Sequence, residues 1–229
     1  MVYSNENKFF NRNFFLRTCS TLVLAPLVLL IIHIGGFIYY LTIVAMAALM
    51  AFEWHEMLQS KLMKRNWLWQ LFAVIYIAAP CTSLIWIMMH DHGPRIVTWL
   101  VLIIAITDIA AYLCGRTIGG PKLAPRISPG KTWSGLIGGC SFAVLFGFAA
   151  GTYYGTNHLH ILMTLTLILA LYAQIGDLIE SWVKRKFEIK DSGSLIPGHG
   201  GILDRVDGII LTAPKVALIL MFDHHWQLF

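Results

Sequence analysis

Apolar residues run along this chain in seven blocks, near residues 18–34, 36–53, 67–88, 96–114, 135–154, 159–176 and 208–222, with short polar connections between them. Several blocks approach the ~20 residues that a helix needs to cross a bilayer. The expected fold class is all-α: a polytopic transmembrane helical protein with about seven spans, or about eight or nine if some helices are broken. Pro26 and Pro80 mark places where a broken or re-entrant helix would fall. No internal repeat, low-complexity tract or soluble domain interrupts the pattern.

Composition agrees. Hydrophobic residues make up 57% of 229 and mean hydropathy is +0.68, above the roughly 45–50% apolar content of soluble domains. Lys8, Arg12 and Arg17 precede the first block, but a second block follows at once without a small-residue cleavage site, so the start reads as a retained span and not a signal peptide. Phe9, Phe10, Phe14 and Phe15 among these cations suit an interfacial segment on anionic headgroups. The four cysteines are scattered, with no metal-ligand spacing.

The cations set an orientation. With the amino terminus in the cytoplasm and seven spans, 15 of 17 Lys and Arg residues fall in the amino-terminal segment and in the loops after the second, fourth and sixth spans. The opposite side holds Arg95, and Lys215 lies within the last block, an asymmetry that follows the positive-inside rule. The net charge of +5 is thus a matter of topology and does not call for nucleic acid. The division expected is an amino-terminal transmembrane region, 1–100, with its interfacial segment, and a catalytic transmembrane region, 101–229, with cytoplasmic polar loops at 115–134 and 177–207.

The second of those loops carries the densest chemistry. Between Ser181 and Asp207, five cations (Lys184, Arg185, Lys186, Lys190, Arg205), four carboxylates (Glu188, Asp191, Asp204, Asp207), His199 and four glycines share 27 residues. Such a mixture suits phosphates and a divalent metal. On a helix, Gln174, Asp177, Ser181 and Lys184 share one face, with Glu180 beside them; paired carboxylates within a turn can hold a hard cation such as Mg²⁺, or can simply solvate a helix end. Asp204 and Asp207 open the last span, where carboxylates are favoured in any case. In Pro197-Gly198-His199-Gly200-Gly201 the glycines allow a tight turn close to a ligand, although a lone histidine also serves loops structurally.

Asp108 lies within the fourth block, and a carboxylate at such depth costs roughly 2.5–3.5 kcal/mol on insertion scales. It needs a partner, either the same polar cavity as the other carboxylates or Arg116 further along its helix. The segment from Gly115 to Thr132 combines cations, hydroxyls and glycines, the ingredients of an anion cradle, or of a basic surface loop set by topology alone. Pro129-Gly130-Lys131-Thr132 is not a nucleotide-binding P-loop, since the first glycine of that motif is replaced by Pro125 and no strand-to-helix context is expected around it.

Ser181, Lys184-Arg185, Lys190-Asp191, Gly193, Leu195, Pro197, His199-Gly200-Gly201 and Asp204-Arg205-x-Asp207 resemble the signature of phosphatidate cytidylyltransferases, the CDP-diacylglycerol synthases. Asp108-x-x-Ala111-Tyr112-x-x-Gly115-Arg116, Ile127-Ser128-Pro129-x-Lys131-Thr132 and Gly176-Asp177-Leu178-x-Glu180-Ser181 are similar to further patterns of that family. The likeness covers roughly the last 120 residues. The chain departs from it at Ser134, where the family usually has an acid, and at Gly130, often a lysine.

The resemblance implies transfer of the cytidylyl group of CTP to phosphatidate, giving CDP-diacylglycerol and pyrophosphate for phospholipid synthesis. It implies metal ligands Asp177, Asp204 and Asp207, with Asp108 and Glu180 as outer or alternate ligands, for one or two Mg²⁺, one position allowing a monovalent ion. Lys131, Arg116, Lys184, Arg185 and Arg205 would hold phosphates. Ser128, Thr132, Ser181, Lys190 and the turn with Gly200 and Gly201 would bind substrate, with His199 a phosphate donor. Partners expected are CTP, phosphatidate and membrane lipids, not nucleic acid, with a homodimer left open. The expected location is a bacterial inner membrane with the site on its cytoplasmic face. A CTP-dependent lipid or polyprenol kinase and a transporter are the competing readings. Asp108, Asp177 and the 116–132 loop should converge on Asp204 and Asp207.

Overall fold

The computed structural model describes residues 22–59, 67–189, 191–193 and 200–222. Each apolar block holds a helix: α1 (Leu22–Ile34), α2 (Gly36–Gln59), α3 (Trp67–Met88), α4 (Gly93–Thr117), α5 (Trp133–Tyr154), α6 (Leu159–Lys186) and α7 (Leu203–Phe222). Five of them, α2 to α6, are long and apolar enough to cross a membrane. The short α1 and the charged α7, with Asp204, Arg205, Asp207 and Lys215, are not among the five. The protein is thus a helical membrane protein, with five such helices among the described residues.

The all-α expectation fits, with one short hairpin added to it: β1 (Lys122–Ala124) and β2 (Ser128–Thr132) pair antiparallel with an irregular register between α4 and α5. Pro121, Pro125 and Pro129 keep this segment out of a helix, and Gly119 and Gly120 take positive φ at its entry. β2 runs directly into α5, so a strand-to-helix junction does exist there; it belongs to a hairpin and still lacks the first P-loop glycine. Of the alternatives with broken helices, neither Pro26 nor Pro80 breaks its helix. α3 passes through Pro80 without a break, and the interruption falls at Gly35, where φ of +62° separates α1 from α2. The amino-terminal interfacial segment lies outside the described residues.

The helices stack in a chain of neighbours: α2 on α3, α3 on α7, α7 on α6, α6 on α5 and α5 on α4. An aromatic cluster of Trp54, Trp69, Phe72, Tyr76 and Phe187 ties α2 and α3 to the end of α6. Between α4 and α5 the side chains at the glycine contacts are small ones, Thr107, Ala111 and Cys114. A Cβ on Gly135 would lie 2.7 Å from the Ala111 carbonyl oxygen and one on Gly139 2.8 Å from that of Thr107, the close backbone approach that small residues allow between membrane helices. A Gly139→Val protein is expected to lose about 1–3 kcal/mol of stability. A thermal midpoint in detergent equal to that of the parent would refute this.

α6 spans 28 residues, about 42 Å at 1.5 Å per residue and longer than the ~30 Å hydrocarbon core. Its last turns therefore extend past the apolar layer, and they carry Lys184, Arg185 and Lys186. The same end of the bundle gathers the end of α4, the hairpin, and the starts of α5 and α7.

Candidate active site

At that end lies an open cavity of about 670 Å³. α4 contributes Asp108, Tyr112 and Arg116, the hairpin Lys122, Ser128, Gly130 and Lys131, α5 Leu136, α6 Gln174 and Asp177, and α7 Asp204, Arg205 and Asp207. The acidic groups of three helices thus share one space with cations from the hairpin.

The carboxylates are individually tied. Asp108 Oδ1 accepts from Gln174 Nε2 at 2.9 Å, which answers its need for a partner. Arg116 bonds the Tyr112 hydroxyl at 2.6 Å. Lys131 Nζ sits 2.7 Å from Asp177 Oδ2 and donates to Gln174 Oε1 at 3.1 Å and the Gln174 carbonyl at 3.3 Å. Gln174 is therefore a bridge between Asp108 and Lys131. Ser181 donates to Asp177 Oδ1 at 3.3 Å, so it orients that carboxylate from outside the cavity lining.

Asp204 is the most heavily engaged. Lys184 Nζ reaches its Oδ1 at 2.6 Å, and its Oδ2 accepts the Ser192 and Gly201 N–H groups at 3.1 and 3.0 Å. Gly200 and Gly201 thus build the turn that enters α7, with Gly200 at φ +79°. Lys184 also lies 3.0 Å from Glu180, which is 3% exposed and behind the cavity wall. The Glu180 carboxyl also stands within hydrogen-bonding reach of the Asp204 and Asp207 side chains. Asp207 Oδ1 accepts its own neighbour's N–H, from Gly208, at 2.7 Å. Asp207, Asp177 and Asp108 repel one another across the space.

Thr132 spends its hydroxyl as the cap of α5, accepting from Gly135 N at 3.1 Å. Ser134, where the resemblance expects an acid, donates to the Gly119 carbonyl and meets Thr132 Oγ1 at 3.0 Å, so this position fastens the hairpin's entry to the helix. Arg185 is exposed and donates to the Ile127 and Ile189 carbonyls at 3.3 and 3.5 Å, bracing the hairpin outside the cavity lining. Lys190 and His199 lie outside the described residues.

Among the described residues no three His, Cys, Asp or Glu side chains already form a metal cage. The donor set nevertheless fits a hard cation: oxygen ligands, mutually repelling carboxylates, and Asp207 without a lysine bound to it in the way that Lys131 holds Asp177 and Lys184 holds Asp204. Sequence reasoning missed Glu53 of α2, which is completely buried and hydrogen-bonded to the start of α7. The one available signal was a carboxylate closing an otherwise apolar block.

Comparison with known proteins agrees with this chemistry. The family model described as "Cytidylyltransferase family" matches residues 63–223. A phosphatidate cytidylyltransferase of Rickettsia bellii (strain RML369-C) is 41% identical over 215 residues, covering 90% of each chain. That of Rickettsia felis (strain ATCC VR-1525 / URRWXCal2) is 39% identical over 216 residues, 91% of this chain and 92% of the relative. One from Brucella suis biovar 1 (strain 1330) is 50% identical over 133 residues, 58% of this chain and 48% of that protein. By a match that takes in every cavity-lining helix, the chain belongs to the cytidylyltransferase family.

Proposed function

We propose that this enzyme transfers the cytidylyl group of CTP to phosphatidate, giving CDP-diacylglycerol and pyrophosphate. The observation that carries the reading is a cavity of carboxylates and cations at the end of a membrane bundle, with an apolar groove beside it. Leu136 borders both; the groove continues along α5 past Cys140 and Val144, facing Leu167 and Leu171 of α6. A lipid with a charged headgroup and acyl tails has this division.

The chemistry needs no protein nucleophile. A phosphatidate monoester oxygen forms a bond to the α-phosphorus of CTP as the bond from that phosphorus to the bridging oxygen breaks, and the electron pair leaves with pyrophosphate. The protein's part is alignment and charge neutralisation. Lys131, Lys122, Arg116 and Arg205 supply cations to the two polyanions, and Ser128 a hydroxyl. Asp177 and Asp207, with Asp108 beside them, are the best placed to hold Mg²⁺; Asp204 is already committed to Lys184 and the α7 turn. The family generally uses a divalent metal, which when bound offsets phosphate charge as a Lewis acid. Lys131 would then exchange Asp177 for a phosphate oxygen. We place the protein in a bacterial inner membrane with the cavity facing the cytoplasm, on the strength of the Lys and Arg asymmetry.

Purified protein in detergent with Mg²⁺, dioleoyl phosphatidate and labelled CTP is expected to give a CDP-lipid and pyrophosphate in equal amounts. Release of CDP would instead favour a CTP-dependent lipid kinase, and absence of any turnover would count against both.

A further inference from the structure

Glu53 lies near the carboxyl end of α2, far in sequence from the cavity, and is 0% exposed. Its Oε1 accepts the Ile202 N–H at 2.7 Å, and its Oε2 accepts the Leu203 N–H at 2.9 Å and the Ser192 hydroxyl at 3.4 Å. Leu203 is the first residue of α7. A helix leaves its first N–H groups without internal partners, and a carboxylate there is favoured by the helix dipole. Such caps are ordinarily local; this one comes from another helix 149 and 150 residues away.

The arrangement is a clamp. Asp204, one residue into α7, takes the Ser192 and Gly201 N–H groups, and Glu53 takes the next two N–H groups along the chain together with the Ser192 hydroxyl. The turn is thereby gripped by two carboxylates. It is also closely packed: a Cβ on Gly201 would stand 2.6 and 2.7 Å from the Glu53 oxygens, and one on Gly193 3.0 Å from Oε1. α2 otherwise packs chiefly on α3, so Glu53 is the means by which it reaches the start of α7. One turn further on stands Asp207, facing Asp177 and Asp108.

We infer that Glu53 is a positioning residue for cytidylyl transfer: by fixing where α7 begins, it sets the height and rotation at which Asp207 meets the opposing carboxylates. The kinetic part of this inference rests on the function proposed above; the structural part does not.

The test compares the full-length parent with Glu53→Gln, purified in detergent. Gln keeps the size but turns one acceptor into a donor aimed at an N–H group. In metal-free protein, amide exchange over residues 200–207 is expected to accelerate by about tenfold or more, with α4 and α5 unchanged. Turnover at saturating CTP should fall about 10²-fold, the cost of misplacement on the scale of 1 Å, with KM for CTP little altered. The Mg²⁺ concentration for half-maximal rate should rise by about fivefold or more, since second-tier partners typically tune metal affinity 10–100-fold. Ser192→Ala removes only the longest of the three bonds and gives the same readouts with smaller shifts if Glu53→Gln does not fold. Unchanged exchange overturns the inference, as does uniform acceleration in all helices, or local acceleration with an unaltered Mg²⁺ midpoint and turnover per folded molecule. A parent protein that transfers no cytidylyl group sinks the proposed function, while the exchange comparison still decides whether Glu53 holds α7.

Discussion

An Asp207→Asn enzyme is expected to fold normally and to lose about 10³-fold of its Mg²⁺-dependent cytidylyl transfer. The substitution is conservative because the bond from the Gly208 N–H to Oδ1 at 2.7 Å is open to the Asn carbonyl, the amide can still face the Glu180 carboxyl, and the volume hardly changes. What disappears is one negative charge from a group that includes Asp108 and Asp177. Relief of that repulsion should if anything raise the thermal midpoint of the metal-free protein. The same relief removes the oxygen best placed to bind a cation. Pyrophosphate release at saturating substrates, measured beside the thermal midpoint, checks both halves. A variant running above about a tenth of the parent rate would remove Asp207 from the charge-stabilising machinery.

Lys131→Met should lower kcat/KM for CTP by about 10²-fold, with a smaller effect when Asp177 is already Asn. Lys131 links the hairpin to α6 inside the cavity, at 2.7 Å from Asp177 and 3.1 Å from Gln174 Oε1. Removing it leaves Asp177 without its counter-charge, costs the site a phosphate ligand, and unties the Gln174 amide that holds Asp108. These roles are shared with Asp177, so the single losses should not add. Arginine is a poor substitute, because a planar fork cannot occupy the volume of a compact ammonium set between a carboxylate and an amide. A four-variant cycle on kcat/KM carries the comparison; strictly additive effects would mean that Lys131 and Asp177 act separately.

The helices and the convergence of charge were legible because bilayer solvation writes both into composition. Apolar blocks must be long, and Asp108 is conspicuous inside one. Asp177, Asp204 and Asp207 stand out where polar residues return, and the structure sets all four carboxylates around one cavity. The hairpin was not legible: the eleven residues from Lys122 to Thr132 mix Pro, Gly, cations and hydroxyls with Leu123, Ala124 and Ile127 in no alternation that distinguishes strand from loop. Division of labour among the carboxylates was hidden for another reason. That Asp204 is committed to the Ser192 and Gly201 backbone while Asp207 is not depends on how the chain turns before α7, and spacing alone treats the two alike. Glu53 showed only as a carboxylate closing an apolar block, and its role was hidden because its backbone partners at the start of α7 lie about 150 residues away. His199 and Lys190 fall outside the described residues and keep the standing that the resemblance gives them.

The glycine contact between α4 and α5 has a mechanical consequence. Close backbone approach at Gly135 and Gly139 leaves only the small side chains of Thr107, Ala111 and Cys114 in this contact, so the wall that carries Asp108 and Arg116 has little room to yield. Adjustment to the different sizes of CTP, phosphatidate and their products is then expected on the opposite side, in the hairpin, since the entry to α7 is clamped by Glu53 and Asp204. Compliance and catalytic charge are thereby assigned to the same residues, and tightening that side for stability would be expected to slow product escape.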